Sequence, residues 1–318
     1  MLLSNVKFNA QNLDRDQIYL ADPTVLKDNE IYYLYGTNGD PNINGEGFLV
    51  YSSKDLIHWE GPVGATDGFA LKKGDAYGDQ GFWAPQVFKY KSKYYIAYTA
   101  NEHIAIATAN SPLGPFTNNI KALDAPVRQI DPFIFFDKGK AYLYHVRLQN
   151  GNRIFVAEMN EDLKSIKPET LKECINAKEN WENTEKVEWP VAEGPTVFKH
   201  NGLYYLLYSA NDFRNPDYAV GYATSKEPLG PWKKFKGNPI ISQSNTNYPG
   251  IGHGDIFYDK DGNMNYVLHT HYSKNKVQPR KTGIIQLRFK RKQIMVEENS
   301  FKWVIKYQKI KHIINNEH

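Results

Sequence analysis

With 318 residues, of which 41% are hydrophobic, 14% aromatic and 23% charged, the chain has ample material for a core, and intrinsic disorder is excluded. Its 39 basic and 35 acidic residues leave a formal net charge of +4, too even a balance to point to a polyanion, so nucleic acid is not an expected partner. No stretch approaches the ~18 apolar residues of a membrane span, and the one cysteine, Cys174, excludes an intrachain disulfide and a cysteine metal site.

In chain order, short alternating runs rich in aromatic and β-branched residues, bounded by Gly, Pro, Asn and Asp, predict strands and turns. Residues 1–10 hold no apolar run like that of a signal peptide. Met1 taken as the native start places the protein in the cytoplasm; removal of a leader would make it periplasmic or secreted. The first strand pair is Ala21-Asp22-Pro23-Thr24-Val25-Leu26 leading to Ile31-Tyr32-Tyr33-Leu34-Tyr35. The second is Trp83-Ala84-Pro85-Gln86-Val87-Phe88 leading to Tyr94-Tyr95-Ile96-Ala97-Tyr98, and the third is Ile130-Asp131-Pro132-Phe133-Ile134-Phe135 leading to Ala141-Tyr142-Leu143-Tyr144. Residues 160–177 carry the best helical spacing, but Pro168 interrupts it and only a short turn is expected. The fourth pair is Ala192-Glu193-Gly194-Pro195-Thr196-Val197-Phe198 leading to Tyr204-Tyr205-Leu206-Leu207-Tyr208. The fifth is Gly252-His253-Gly254-Asp255-Ile256-Phe257 leading to Tyr266-Val267-Leu268-His269. The stretch Asp259-Lys260-Asp261-Gly262 lacks the later ligands of a calcium loop and reads as a hairpin turn, and the basic run Arg288, Lys290, Arg291, Lys292 reads as a solvated face.

A second module follows several pairs, ending in Leu56 to Trp59, Pro112-Leu113-Gly114-Pro115-Phe116, Asp162-Leu163 and Pro228-Leu229-Gly230-Pro231-Trp232. Each copy is therefore about four strands long and recurs every ~50 to 60 residues, as propeller blades do. The expected fold is all-β: a five-bladed β-propeller of four-stranded antiparallel blades, with residues 1–318 forming a single domain. Residues 301–310 are expected to supply a strand that completes or caps the first or last blade.

Innermost strands that all open at one end of a central channel bring their opening residues to one spot: Asp22, Trp83 with Ala84, Asp131, Glu193 with Gly194, and His253. Asp before Pro, taken singly, is a turn pair, and Pro pushes its predecessor toward extended backbone. Three carboxylates at one channel mouth repel one another, and structure alone gives no reason to accept that cost. Such a set suits glycoside hydrolysis, which needs one carboxyl kept protonated and one ionised. Trp83 offers a face on which a sugar ring packs, whereas most of the 22 Tyr lie inside strands where core packing is expected. Phe82 and His271 are further candidates for the pocket.

In order and spacing, Ala21-Asp22-Pro23, Trp83-Ala84-Pro85, Ile130-Asp131-Pro132-Phe133, Glu193-Gly194-Pro195 and Gly252-His253-Gly254 resemble glycoside hydrolase family 43. The resemblance implies an inverting mechanism, with Asp22 as general base, Glu193 as general acid, and Asp131 orienting Glu193 and holding its pKa up. It implies that Arg280 reaches the bound sugar and that His253 lies over a Ca2+ or Na+ in the channel, contacted through water; no cofactor is required. The partner is a carbohydrate, with no membrane and no obligate protein partner. An exo-α-L-arabinofuranosidase acting on plant-type polysaccharides or oligosaccharides is the first expectation, a β-xylosidase or an endo-arabinanase the alternatives. Related propellers that act on fructosides place Cys after the acid Glu, where this chain has Gly194. A propeller that binds glycans without cleaving them is the reading from another class.

Overall fold

The computed structural model describes residues 16–307. Five small antiparallel sheets form the blades of a propeller, each built outward from an innermost strand. The inner strands are Leu20–Asp28, Trp83–Tyr90, Gln129–Asp137, Ala192–His200 and Gly252–Tyr258. Each turns back into a Tyr-rich second strand: Ile31–Asn38, Lys93–Ala100, Lys140–Leu148, Leu203–Ala210 and Met264–Thr270. The turns in the third and fourth blades, Lys138-Gly139 and Asn201-Gly202, have positive φ at both residues, which matches the twist of the strands they join. All five strand pairs lie where the repeats place them.

Blades one, three and four have four strands, and blade five has four plus an extra short strand. Blade two has three, its outer edge carrying only an isolated bridge between Thr108 and Thr117. The expectation of four strands per blade thus fails in blade two, where the pairing at the outer edge does not extend beyond that single bridge. Residues 160–177 form only a 3-10 turn, Pro168–Thr170, and a short strand, Lys172–Ile175.

Residues 302–307 close the ring. Lys302–Trp303 pairs with Lys281–Lys290 in blade five, and the chain then runs onto blade one through the Ile305 bridge to Gln17 and the Tyr307 N–H donated to Trp59 O. Residues 308–310 of that expected strand lie outside the described residues.

The core lies between blades, because each sheet is apolar on both faces. The second-strand tyrosines Tyr35, Tyr98, Tyr144 and Tyr208 are buried, and each hydroxyl finds a partner. Tyr35 donates to Pro112 O and Tyr144 to Pro228 O, both at 2.5 Å, so the two Pro-Leu-Gly-Pro loops cap tyrosines of the preceding blades.

Candidate active site

Pro cannot donate a ladder hydrogen bond, so an inner strand containing Pro must break its pairing there. In the first four blades the register shifts across the Pro: between Ala21 and Thr24, Trp83 and Gln86, Ile130 and Phe133, Glu193 and Thr196. In blade five the shift falls between Gly252 and Gly254, and a Cβ on Gly254 would lie 1.7 Å from Val267 O. Each bulge holds the preceding residue in the left-handed region: φ is +48° at Asp22, +45° at Ala84, +54° at Asp131, +59° at Gly194 and +39° at His253. The extended backbone expected before Pro is therefore reversed by the bulge. Strain of roughly 1 to 3 kcal/mol at each non-glycine position is thus concentrated at one end of the channel.

Four of the five bulge N–H groups are bound in a repeating way. Asp22 donates to His269 Nδ1 (3.1 Å), Ala84 to Thr37 Oγ1 (2.9 Å), Asp131 to Thr99 Oγ1 (3.0 Å) and His253 to Ser209 Oγ (2.8 Å). In each case the acceptor stands on the second strand of the preceding blade, opposite Gly252, Ala21, Trp83 and Glu193 respectively. The fifth equivalent position, opposite Ile130, is Val146, which has no acceptor. The Gly194 N–H turns instead to Asp131 Oδ2 at 3.2 Å. Val146→Thr is expected to recapture that N–H, release Asp131, and lower kcat/KM about tenfold, the worth of one charge-assisted bond of roughly 1.5 kcal/mol. A pH–rate profile and a melting curve check it; unchanged kinetics in a folded variant would show that this bond does not hold Asp131.

Asp22, Asp131 and Glu193 are all buried and line one cavity of about 480 Å³ at the channel mouth, with Trp83, Asn152 and Arg280 among its other walls. Asp22 Oδ1 accepts from Arg280 Nη1 (2.9 Å) and lies 3.3 Å from the Nδ1 atoms of both His253 and His269; its Oδ2 accepts from Thr37 (2.7 Å). Burial by itself would raise the Asp22 pKa, but Arg280, the two histidines and Thr37 overcome it and hold the carboxyl well below the usual range.

Glu193 stands one residue before its bulge, not in it, and so has different partners. Tyr218 donates to Oε1 (2.9 Å) and Asn152 Nδ2 to Oε2 (3.0 Å). Burial pushes its pKa up to about 7, with the Asp22 and Asp212 charges adding and the two donors opposing. Burial is thus the leading cause of the rise. Asp131 itself is raised well above the usual carboxylate range, by burial first and then by Glu193 and Asp22. One ionised and one neutral carboxyl in a single cavity can take a proton from water and give one to a leaving oxygen.

Gly194 has a further constraint, since a Cβ there would sit 2.7 Å from the His253 ring. Trp83 is 40% exposed and lines the cavity wall. Arg280 reaches the site, where it pairs with Asp22 and lies 4.5 Å over the Phe213 ring. Two expectations are corrected. Phe82 is buried in the core between blades one and two, against Phe48 and Tyr98, because the bulge turns Trp83 outward and leaves its neighbour facing in. His271 is buried behind the wall, its Nε2 2.8 Å from the Phe213 carbonyl, and supports the loop without lining the cavity. Asn152, Phe213 and Tyr218 were not singled out from sequence; an Asn opening a third strand or a Tyr among 22 carries no signal of its own.

Below the cavity the channel narrows to about 20 Å³ beside His253 and Asp255. The Asp255 oxygens accept from Thr24 (2.7 Å) and Thr196 (2.6 Å), and among the described residues no group of three or more His, Cys, Asp or Glu side chains could hold a metal ion. These side chains do not by themselves supply the oxygen-rich set that Ca2+ prefers.

Among solved structures, one titled an endo-1,4-beta-xylanase from Bacteroides thetaiotaomicron is 40% identical, with a TM-score of 0.83 over 92% of this chain and 98% of the other. A thermostable family-43 glycoside hydrolase is 36% identical, with a TM-score of 0.79 over 89% and 94%. A curated xylosidase/arabinosidase of Butyrivibrio fibrisolvens is 28% identical over 79% of this chain, which spans 49% of that protein. The extracellular exo-alpha-(1->5)-L-arabinofuranosidase ArbA of Cellvibrio japonicus is 24% identical over 80% of each chain. Residues 17–294, almost the whole propeller, match the glycosyl hydrolases family 43, and with the five bulged strands and their three carboxylates in place, the chain belongs to that family.

Proposed function

We propose that this chain is an inverting glycosidase that removes a non-reducing-end α-L-arabinofuranose from plant-type polysaccharide side chains or oligosaccharides. What carries the reading is one cavity of about 480 Å³ walled by a carboxylate held ionised, Asp22, and a carboxyl held neutral to about pH 7, Glu193. Water gives a proton to Asp22 as its oxygen bonds the anomeric carbon, the glycosidic C–O bond breaks, and the leaving oxygen takes the Glu193 proton. Asp131, fixed by the Gly194 N–H, steadies the geometry beside the acid. Trp83 packs on the sugar face, and inversion requires the water to fit between base and anomeric carbon.

A β-D-xyloside is the second reading, favoured by the 40% identical structure named a xylanase and by the relative named for both sugars. Release of nitrophenol from the α-L-arabinofuranoside and the β-D-xylopyranoside, run side by side, decides between them, and NMR of the first-formed anomer tests inversion. Faster release from the arabinofuranoside with an inverted product is expected. Retention would overturn the mechanism, and binding of oligosaccharides without turnover would leave a glycan-binding propeller.

A further inference from the structure

Trp189 lies three residues before the inner strand Ala192–His200 and is 49% exposed, yet its indole is not loose. The indole N–H donates to Asn152 Oδ1 at 2.9 Å, and Asn152 Nδ2 donates to Glu193 Oε2 at 3.0 Å. Asn152 is itself pinned, its backbone N–H on Pro190 O at 2.9 Å and its strand bridged to Val191. Asn152 lines the cavity; Trp189 stands just outside it, on the side of the Glu193 oxygen that Asn152 holds. A large aromatic face exposed to solvent, yet locked by a hydrogen bond at its polar edge, has the form of a carbohydrate platform that costs little ordering to use.

We propose that Trp189 is the platform for the sugar on the leaving-group side of the scissile bond, and that its N–H, through Asn152, aims Glu193 at the departing oxygen. The ligand class is the first sugar ring of the leaving oligosaccharide, its C–H face on the indole. The inference rests on Glu193 being the acid, and it makes Trp189 a binding and positioning residue at once. A substrate with a sugar on that side engages it, whereas a methyl glycoside leaves it empty.

The two functions separate by substitution. Trp189→Ala is expected to lower kcat/KM for a trisaccharide about tenfold relative to the methyl glycoside of the same terminal sugar, mainly through KM, as the loss of one aromatic contact of roughly 1.4 kcal/mol. Trp189→Phe keeps a ring but no N–H; KM should recover, while the alkaline limb of the pH–rate profile moves upward as Asn152 loosens its hold on the acid. Equal losses on both substrates, or none, in a variant that melts normally would overturn the platform. An unmoved pH limb in Trp189→Phe would overturn the relay. Glu193→Gln with turnover intact would remove the acid assignment, and the relay with it, while the trisaccharide preference of Trp189→Ala would still judge the platform.

Discussion

Asp22→Asn is expected to lower kcat/KM by about 10³- to 10⁴-fold on every substrate, whatever its leaving group. The amide cannot take the proton of the attacking water, and the other cavity carboxylate held ionised, Asp212, is bound by Arg214. The loss should have a structural signature too. Arg280 is buried and gives both Nη1 and Nη2 to Asp22, so neutralising the carboxylate leaves a buried cation without its counter-charge. Removing one partner of such a pair costs roughly 3 to 5 kcal/mol. Melting curves taken beside the kinetics should therefore show a lower Tm. The pH sign follows from the lowered pKa: the pairing contributes stability above the unfolded value near 3.8 and loses it as pH falls toward the folded value, so wild type and variant should converge in acid. Intact turnover in Asp22→Asn would remove it as the base.

Glu193→Gln is expected to lose about 10²- to 10⁴-fold on oligosaccharides and far less on dinitrophenyl glycosides, whose leaving groups need no proton. In the wild type, kcat/KM should fall as pH rises through about 7, where the acid gives up its proton before substrate binds. The same rise in pKa has a cost in stability. The folded state holds a proton on Glu193 that the unfolded chain releases near 4.5, so that contribution is complete below about 4.5 and is lost as pH rises to about 7. Gln cannot ionise, and the Tm of Glu193→Gln should overtake that of the wild type progressively between pH 5 and 8. A constant Tm difference over that range would contradict a buried neutral Glu193, and equal kinetic losses on both leaving groups would contradict its role as acid.

The repeats were readable because every blade must solve the same local problem. An inner strand carrying Pro cannot keep its ladder there, blade five breaks at the same level without Pro, and the break recurs at Asp22, Ala84, Asp131, Gly194 and His253. Reading the five segments together therefore located the carboxylates and Trp83. What sequence reading placed wrongly came from residues beside the bulge. Phe82 and Trp83 are adjacent, and which of them faces the cavity depends on a left-handed residue that sequence reading expected to be extended. His271 looked like a pocket residue by its place after a Tyr-rich strand, yet its ring is spent on the Phe213 carbonyl.

The sequence by itself determined the number of blades and which inner-strand residues meet at one end of the channel, because hydrophobic alternation and Pro placement act over a few residues. Only the tertiary structure decided what state each carboxyl is in. The Asp22 pKa is held low by Arg280, 258 positions away, and that of Glu193 is raised by its burial, set between Tyr218 and Asn152, which lie 25 and 41 positions away. Charge and desolvation act through space, and space is ordered by the closing of the ring rather than by the order of the chain.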